Sequence, residues 1–124
     1  MTLGFSLGLG AANFSWPTEK SEEGRITGIG GVFFKTTNSL ETKAWYKKHF
    51  GLNTGDYGTV FEWRHSDLPE LKGHTQWSPF TETTDYFEAD YMINYRVDNL
   101  EVLLEKLKTQ NVTIVDSMET YEYG

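Results

Sequence analysis

Few residues in this chain have side chains that can do chemistry, and their spacing limits what that chemistry is. His49, His65 and His74 form no His-x-x-x-His or comparable pair, so no ligand motif is present. His65 and His74 could stand at two ends of a hairpin around a metal, but solvated imidazoles are the simpler reading. Cysteine is absent, which removes disulfides and thiolate metal sites. Arg96 lies in YMINYRV, where alternation sends Met92, Asn94 and Arg96 to one face and Tyr91, Ile93, Tyr95 and Val97 to the other. A guanidinium on a mid-strand face is costly to bury alone. A carboxylate- or phosphate-bearing ligand would satisfy it, and so would an ion pair with Glu62 or Glu119. Trp63 and Trp77, on neighbouring strands, can stack on a ligand or fill a core. The glycine motifs are weak: GLGAANFSW lacks a phosphate-loop lysine, and GIGG opens a strand where a dinucleotide motif would follow one.

The elements that must position these residues follow from pattern. Residues 28–36 read as a Gly-rich strand with Ile29, Gly31, Phe33 and Lys35 on one face. Asn38 and Glu41 then form a capping pattern for a helix ending at Gly51, with Leu40, Ala44, Tyr46 and Phe50 on one side. Asp98 and Glu101 repeat the cap before a second helix, whose stripe Leu100, Leu103, Leu104, Leu107 is the clearest periodicity in the chain; Asn111 stands where Gly51 ends the first. Between them come a short strand at 52–54, strands at 59–64 and 74–80 around a loop at 65–73, an acidic connection at 81–90, and a strand at 91–97. A further strand starts at 112–115 and can continue through 119–123. The chain is thus two strand–helix modules, the second a degenerate copy.

At 124 residues this is one domain, and a net charge of −7 argues against a sequence-independent grip on nucleic acid, which needs clustered Lys and Arg. Four Trp, seven Tyr and eight Phe are a generous supply for filling a core or lining a pocket for flat ligands. Residues 1–24 read as a leader or as an extra strand, Leu3, Phe5, Leu7 and Leu9 alternating with small or polar residues, then an exposed linker from Pro17. No Lys or Arg precedes the apolar run and glycines interrupt it, which speaks against a secretion signal and for a cytoplasmic protein without a membrane partner.

The strings GIGGVFFK, AWYKKHFGL, YMINYRVDNLEVLLEKL and the final EYG, in that order, resemble the glyoxalase/bleomycin-resistance/extradiol-dioxygenase superfamily, the vicinal oxygen chelate fold, over residues 26–124. The resemblance implies an α+β fold of paired βαβββ modules, about 25–80 and about 91–124, enclosing a cavity for a metal or a ligand. Two departures from the family pattern matter. The last two strands of the second module are not matched, so it is incomplete, and the uncovered sheet edge calls for the 2–10 strand or a second copy to cover it; a homodimer is expected. The positions matched to the family's metal ligands hold Gly31, Gln76 or Trp77, and Met92, none a good donor to a divalent ion, so no metal or other cofactor is expected.

With Gly31 and Met92 facing the cavity as the resemblance implies, alternation adds Phe33, Lys35, Asn94 and Arg96 to its lining, an aromatic pocket with a cationic corner, with Trp63 and Trp77 as stacking candidates. Glu62, Glu119 and Tyr121 are the acid–base types near it, and no nucleophile–base pair stands out. The expectation is a metal-independent binder of an apolar or aromatic small molecule, anionic ones included, as in bleomycin-resistance-type relatives. The alternatives are a superfamily lyase, isomerase or dioxygenase with a non-standard site, and a truncated module whose role is assembly.

Overall fold

A computed structural model describes residues 23–119, which form an α+β unit of one four-stranded mixed sheet and two helices. The order along the chain is β1 (Ile26–Thr36), α1 (Ser39–Phe50), β2 (Thr59–Arg64), β3 (Lys72–Thr81), β4 (Tyr91–Val97) and α2 (Leu100–Thr109). Across the sheet the order is β2-β3-β1-β4. β1 is central, parallel to β3 and antiparallel to β4, while β2 closes antiparallel onto β3. A parallel pair needs a long crossover, which α1 and β2 supply. The expectations for residues 1–22 and 120–124, Tyr121 included, concern segments outside the described residues. No described helix is long and apolar enough to cross a membrane.

Both helices begin and end where side-chain chemistry dictates. Asn38 accepts the Glu41 N–H at 3.1 Å, and Gly51, at φ 67°, turns the chain out of α1 in the left-handed region. The second cap is Asn99, not Asp98: its side chain accepts the Val102 N–H at 3.2 Å. Asp98 is drawn away because its carboxylate accepts the Arg25 backbone N–H at 2.8 Å and pairs with the Arg25 guanidinium at 3.5 Å. Asn111 takes φ 59° after α2, as its place opposite Gly51 predicts. Gly24 lets the incoming chain lie against α2, since a Cβ there would meet Leu103 N at 2.5 Å, and Lys106 Nζ donates to the Glu23 carbonyl at 2.6 Å.

Four expectations need correction. The 52–54 strand does not form: the Thr54 hydroxyl donates to the Lys43 carbonyl at 3.1 Å and its N–H to Leu52, so this segment is bonded to α1 rather than to the sheet. The first unit is therefore β-α-β-β, and 112–115 is likewise irregular and exposed. The buried side of α1 is Lys43 and Tyr46, the latter ring 4.8 Å from Trp77, while Leu40 and Phe50 are 72% and 68% exposed. Register shifts in β1 between Ile26 and Gly28 and between Ile29 and Gly31 insert an extra residue against β4, so Ile29 pairs with Tyr95 and leaves the face shared by Gly31, Phe33 and Lys35. The core is thin: Phe87, Met92 and Leu100 are its buried apolar side chains among the described residues.

On the outer rung of β2 and β3, Glu62 stands opposite His74 and lies 3.3 Å from Lys72 Nζ and 3.5 Å from His74 Nε2. The hydrogen bond and charge of Lys72, then the charges of His74 and Arg64, hold the Glu62 carboxyl below its ordinary value of 4.5. A lowered carboxyl adds stability above its unfolded range that is lost as pH falls through the folded value. Glu62→Gln is therefore expected to melt slightly lower than wild type at neutral pH, with the gap closing as pH falls below the carboxylate range. A gap that persists there in melting curves would rule out this linkage.

Candidate functional site

Register brings four of the seven residues singled out from sequence onto one sheet face. Gly31 lies beside both Gln76 and Asn94, Phe33 beside Ser78 and Met92, and Lys35 beside Phe80. The positions matched to the family's metal ligands, Gly31, Gln76 and Met92, thus fall on three adjacent strands, while Trp77 points elsewhere. Met92 is buried, and the Asn94 Oδ1 is a buried acceptor without a partner in this structure. Lys35 is committed rather than free: its Nζ donates to the Glu88 carbonyl at 2.9 Å and lies 5.3 Å from the centre of the Phe87 ring.

Arg96, on the Met92 and Asn94 side of β4, and the two tryptophans make their contacts elsewhere. Arg96 lies over the Trp63 indole, 5.6 Å from Cζ to the ring centre, and no carboxylate among the described residues pairs with it. Glu62, offered from sequence as a partner, is engaged by Lys72 and His74. The Trp63 indole rests over glycine backbone, since Cβ atoms at Gly28 or Gly73 would run into it, while a Cβ at Gly30 would meet the Arg96 stem at ordinary contact distance. Within the run GIGG, Gly28 thus leaves room for the Trp63 ring, and Gly31 lies close against Phe33 and Asn94. The Trp63 Nε1 donates to the Thr75 hydroxyl at 2.8 Å, which donates on to the Ile29 carbonyl at 2.5 Å. Trp77, half-buried, faces α1, in contact with Phe34 at 5.4 Å and Tyr46 at 4.8 Å.

A cleft of about 360 Å³ opens from the Phe33 face toward α1 and two loops. Its apolar wall is a ring cluster in which Phe80 meets Phe33 edge-on at 5.6 Å and stacks on Tyr86 at 5.6 Å and 6°. Phe87, buried behind them, anchors the 82–90 connection that carries Tyr86. The polar wall is the loop before β2. Gly55 and Gly58 exchange backbone hydrogen bonds at 2.8 and 3.2 Å, presenting the Asp56 and Tyr57 carbonyls inward. Gln76 Nε2 donates to the Tyr57 carbonyl at 2.9 Å, the Ser78 hydroxyl donates to the same oxygen, and Lys43 Nζ donates to the Asp56 carbonyl at 2.7 Å. Sequence reading passed over Lys43 because a search for an apolar helix stripe skips a lysine. Its spacing from Ser39 and Tyr46 places it on the face that actually packs.

A second cavity, about 330 Å³, lies between the start of β1 and the loop after β2. Arg25 bridges Asp67 and Asp98 there, both at 3.5 Å, with Asp98 2% exposed, an ion-pair knot that ties β1 to the start of α2. His65, read from sequence as solvated, borders it and is buried at 8% exposure, its ring 4.9 Å from Trp63. His74 and His49 are exposed, beside Glu62 and Trp45 respectively, and Glu119 is exposed as well. Among the described residues no three His, Asp or Glu side chains converge as a metal site. Compared with protein-family models, with curated proteins and with solved structures, the chain matches none.

Proposed function

We propose that the protein is a metal-independent small-molecule-binding module of the glyoxalase/bleomycin-resistance kind, built from paired modules and acting as a homodimer, whose ligand is an aromatic compound. The observation that carries the reading is the cleft of about 360 Å³ walled by Phe33, Phe80 and Tyr86, because stacked rings at an open cleft offer a flat ligand the geometry aromatic pairs prefer. Two further features support the family reading. The first strands of the two sequence modules, β1 and β4, pair edge to edge, and each leads into a side-chain-capped helix ending at a left-handed residue. Gly31, Gln76 and Met92, standing at family metal positions, are neighbours on the sheet yet poor ligands, which favours binding over metal chemistry. The exposed Tyr91 on edge strand β4 and the exposed Val60 and Phe61 on edge strand β2 fit a second copy covering an edge.

The test uses chelator-treated protein and a panel of flat aromatics, 2-naphthol first, read by melting temperature and tryptophan fluorescence. A ligand-dependent rise is expected, and Tyr86→Ala should weaken binding by about fivefold, the scale of one aromatic stack. No rise with any member of the panel, or a rise that appears only after divalent metal is added, would overturn the reading. Light scattering of the same sample should give the mass of two chains.

A further inference from the structure

The cleft holds one feature that the aromatic reading leaves unused. Lys43 is 9% exposed, yet its ammonium has one acceptor among the described residues, the Asp56 carbonyl at 2.7 Å. An ammonium carries three donors, and a charge removed from water is costly unless it meets an opposite charge. Asp56 offers its backbone oxygen and not its carboxylate, and no carboxylate of the described chain pairs with Lys43. Gln76 and Ser78, the other polar side chains of the floor, are already turned onto the Tyr57 carbonyl. The uncompensated positive charge of the site therefore sits on one side chain lining an aromatic slot.

Resting on the proposal above, we infer that the cleft selects planar aromatic monocarboxylates, with the carboxylate received by Lys43 Nζ and the ring laid against Phe33, Phe80 and Tyr86. A carboxylate supplies the missing countercharge and accepts the spare N–H groups, and a charge-assisted bond of this kind is stronger than a neutral one. One anionic group is favoured over two, since the slot holds one cation and the acidic Asp56 borders it. The volume suits one or two fused rings.

The probes are 2-naphthoate, its neutral shape analogue 2-naphthamide, and 2,6-naphthalenedicarboxylate, titrated calorimetrically at neutral pH. Wild type should bind the naphthoate at least about tenfold more tightly than the amide, and the dicarboxylate no better than the naphthoate. Lys43 also ties down the 52–58 segment, so the variant is Lys43→Gln, which keeps a donor for the Asp56 carbonyl. It should bring the two affinities within about twofold by weakening the naphthoate alone. The wild-type ratio stands as a test whether or not the variant folds. Equal wild-type affinities, or a preference that survives in Lys43→Gln, would overturn this inference while leaving the aromatic cleft standing. Failure of all three probes together with the neutral panel would overturn both.

Discussion

Gly58→Ala should be among the most damaging single substitutions in this chain, at about 3 kcal/mol or more, the sum of a left-handed backbone and a steric collision. Gly58 has φ 102°, where side chains are strained, and a Cβ there would run into the Trp77 backbone carbonyl of the adjacent strand. Backbone cannot swing aside as a side-chain tip can. The loss would reach a large part of the roughly 5–15 kcal/mol that holds a domain together. It would also reach the cleft, because the Gly55–Gly58 turn presents the carbonyls that hold Lys43, Gln76 and Ser78. Gly55→Ala is the matched control: nothing lies within 4 Å of a Cβ there and its φ is not positive, so its cost should stay within about 1 kcal/mol. Urea denaturation of both variants separates the cases, and a Gly58→Ala midpoint equal to that of Gly55→Ala would refute the collision.

What could be read from sequence was the part governed by local rules. Asn38, Gly51 and the Leu100 stripe announce the helices because capping and periodicity act within one turn, and β4 was legible to the residue because alternation runs unbroken from Tyr91 to Val97. The cap at Asp98 was misplaced by one residue because Arg25, 73 positions away, claims that carboxylate, and no local rule reports a distant partner. The bulge at Gly30 is a similar case: a register shift depends on the neighbouring strand, and it moved Ile29 off the expected face.

Of the seven residues singled out from sequence, Phe33 is the one that lines the cleft, and the other six lie outside its lining. Phe33, Lys35, Met92 and Asn94 share a face because alternation from Gly31 onward is regular. Trp77 faces α1 because the next residue, Ser78, holds the cleft face, and one step along a strand reverses the side. Arg96 lies over Trp63, whose ring rests against Gly28 and Gly73, a contact between strands that alternation along one strand does not report. Lys43 was invisible because it breaks the apolar pattern that marks a packed helix face. A buried cation is a feature that hydrophobic periodicity is built to miss.

The 82–90 connection is the other wall of the cleft, and Phe87→Ala should release it. Phe87 is 6% exposed, packs edge-on to Phe80 at 5.4 Å and carries Lys35 over its face, so truncation empties one of the few fully packed spots in a thin core. Such a change costs about 3–5 kcal/mol by lost burial and cavity, and less where the surroundings collapse. Lys35 would keep its bond to the Glu88 carbonyl, and the connection would still be pinned by the Lys35 N–H to the Asp90 carbonyl at 2.8 Å and the Glu82 N–H to the Thr36 carbonyl at 2.7 Å. The segment should therefore loosen in its middle rather than detach, with Tyr86 losing its place on Phe80. Phe87→Leu keeps most of the volume and should cost about 1–1.5 kcal/mol. Denaturation midpoints of the two variants, with hydrogen exchange across 82–90, give the stability loss and its location. If Phe87→Ala matches Phe87→Leu and exchange in the connection is unchanged, Phe87 is not the anchor, and the position of Tyr86 must be set by its stack on Phe80 and by its N–H bond to the Thr84 hydroxyl at 3.2 Å.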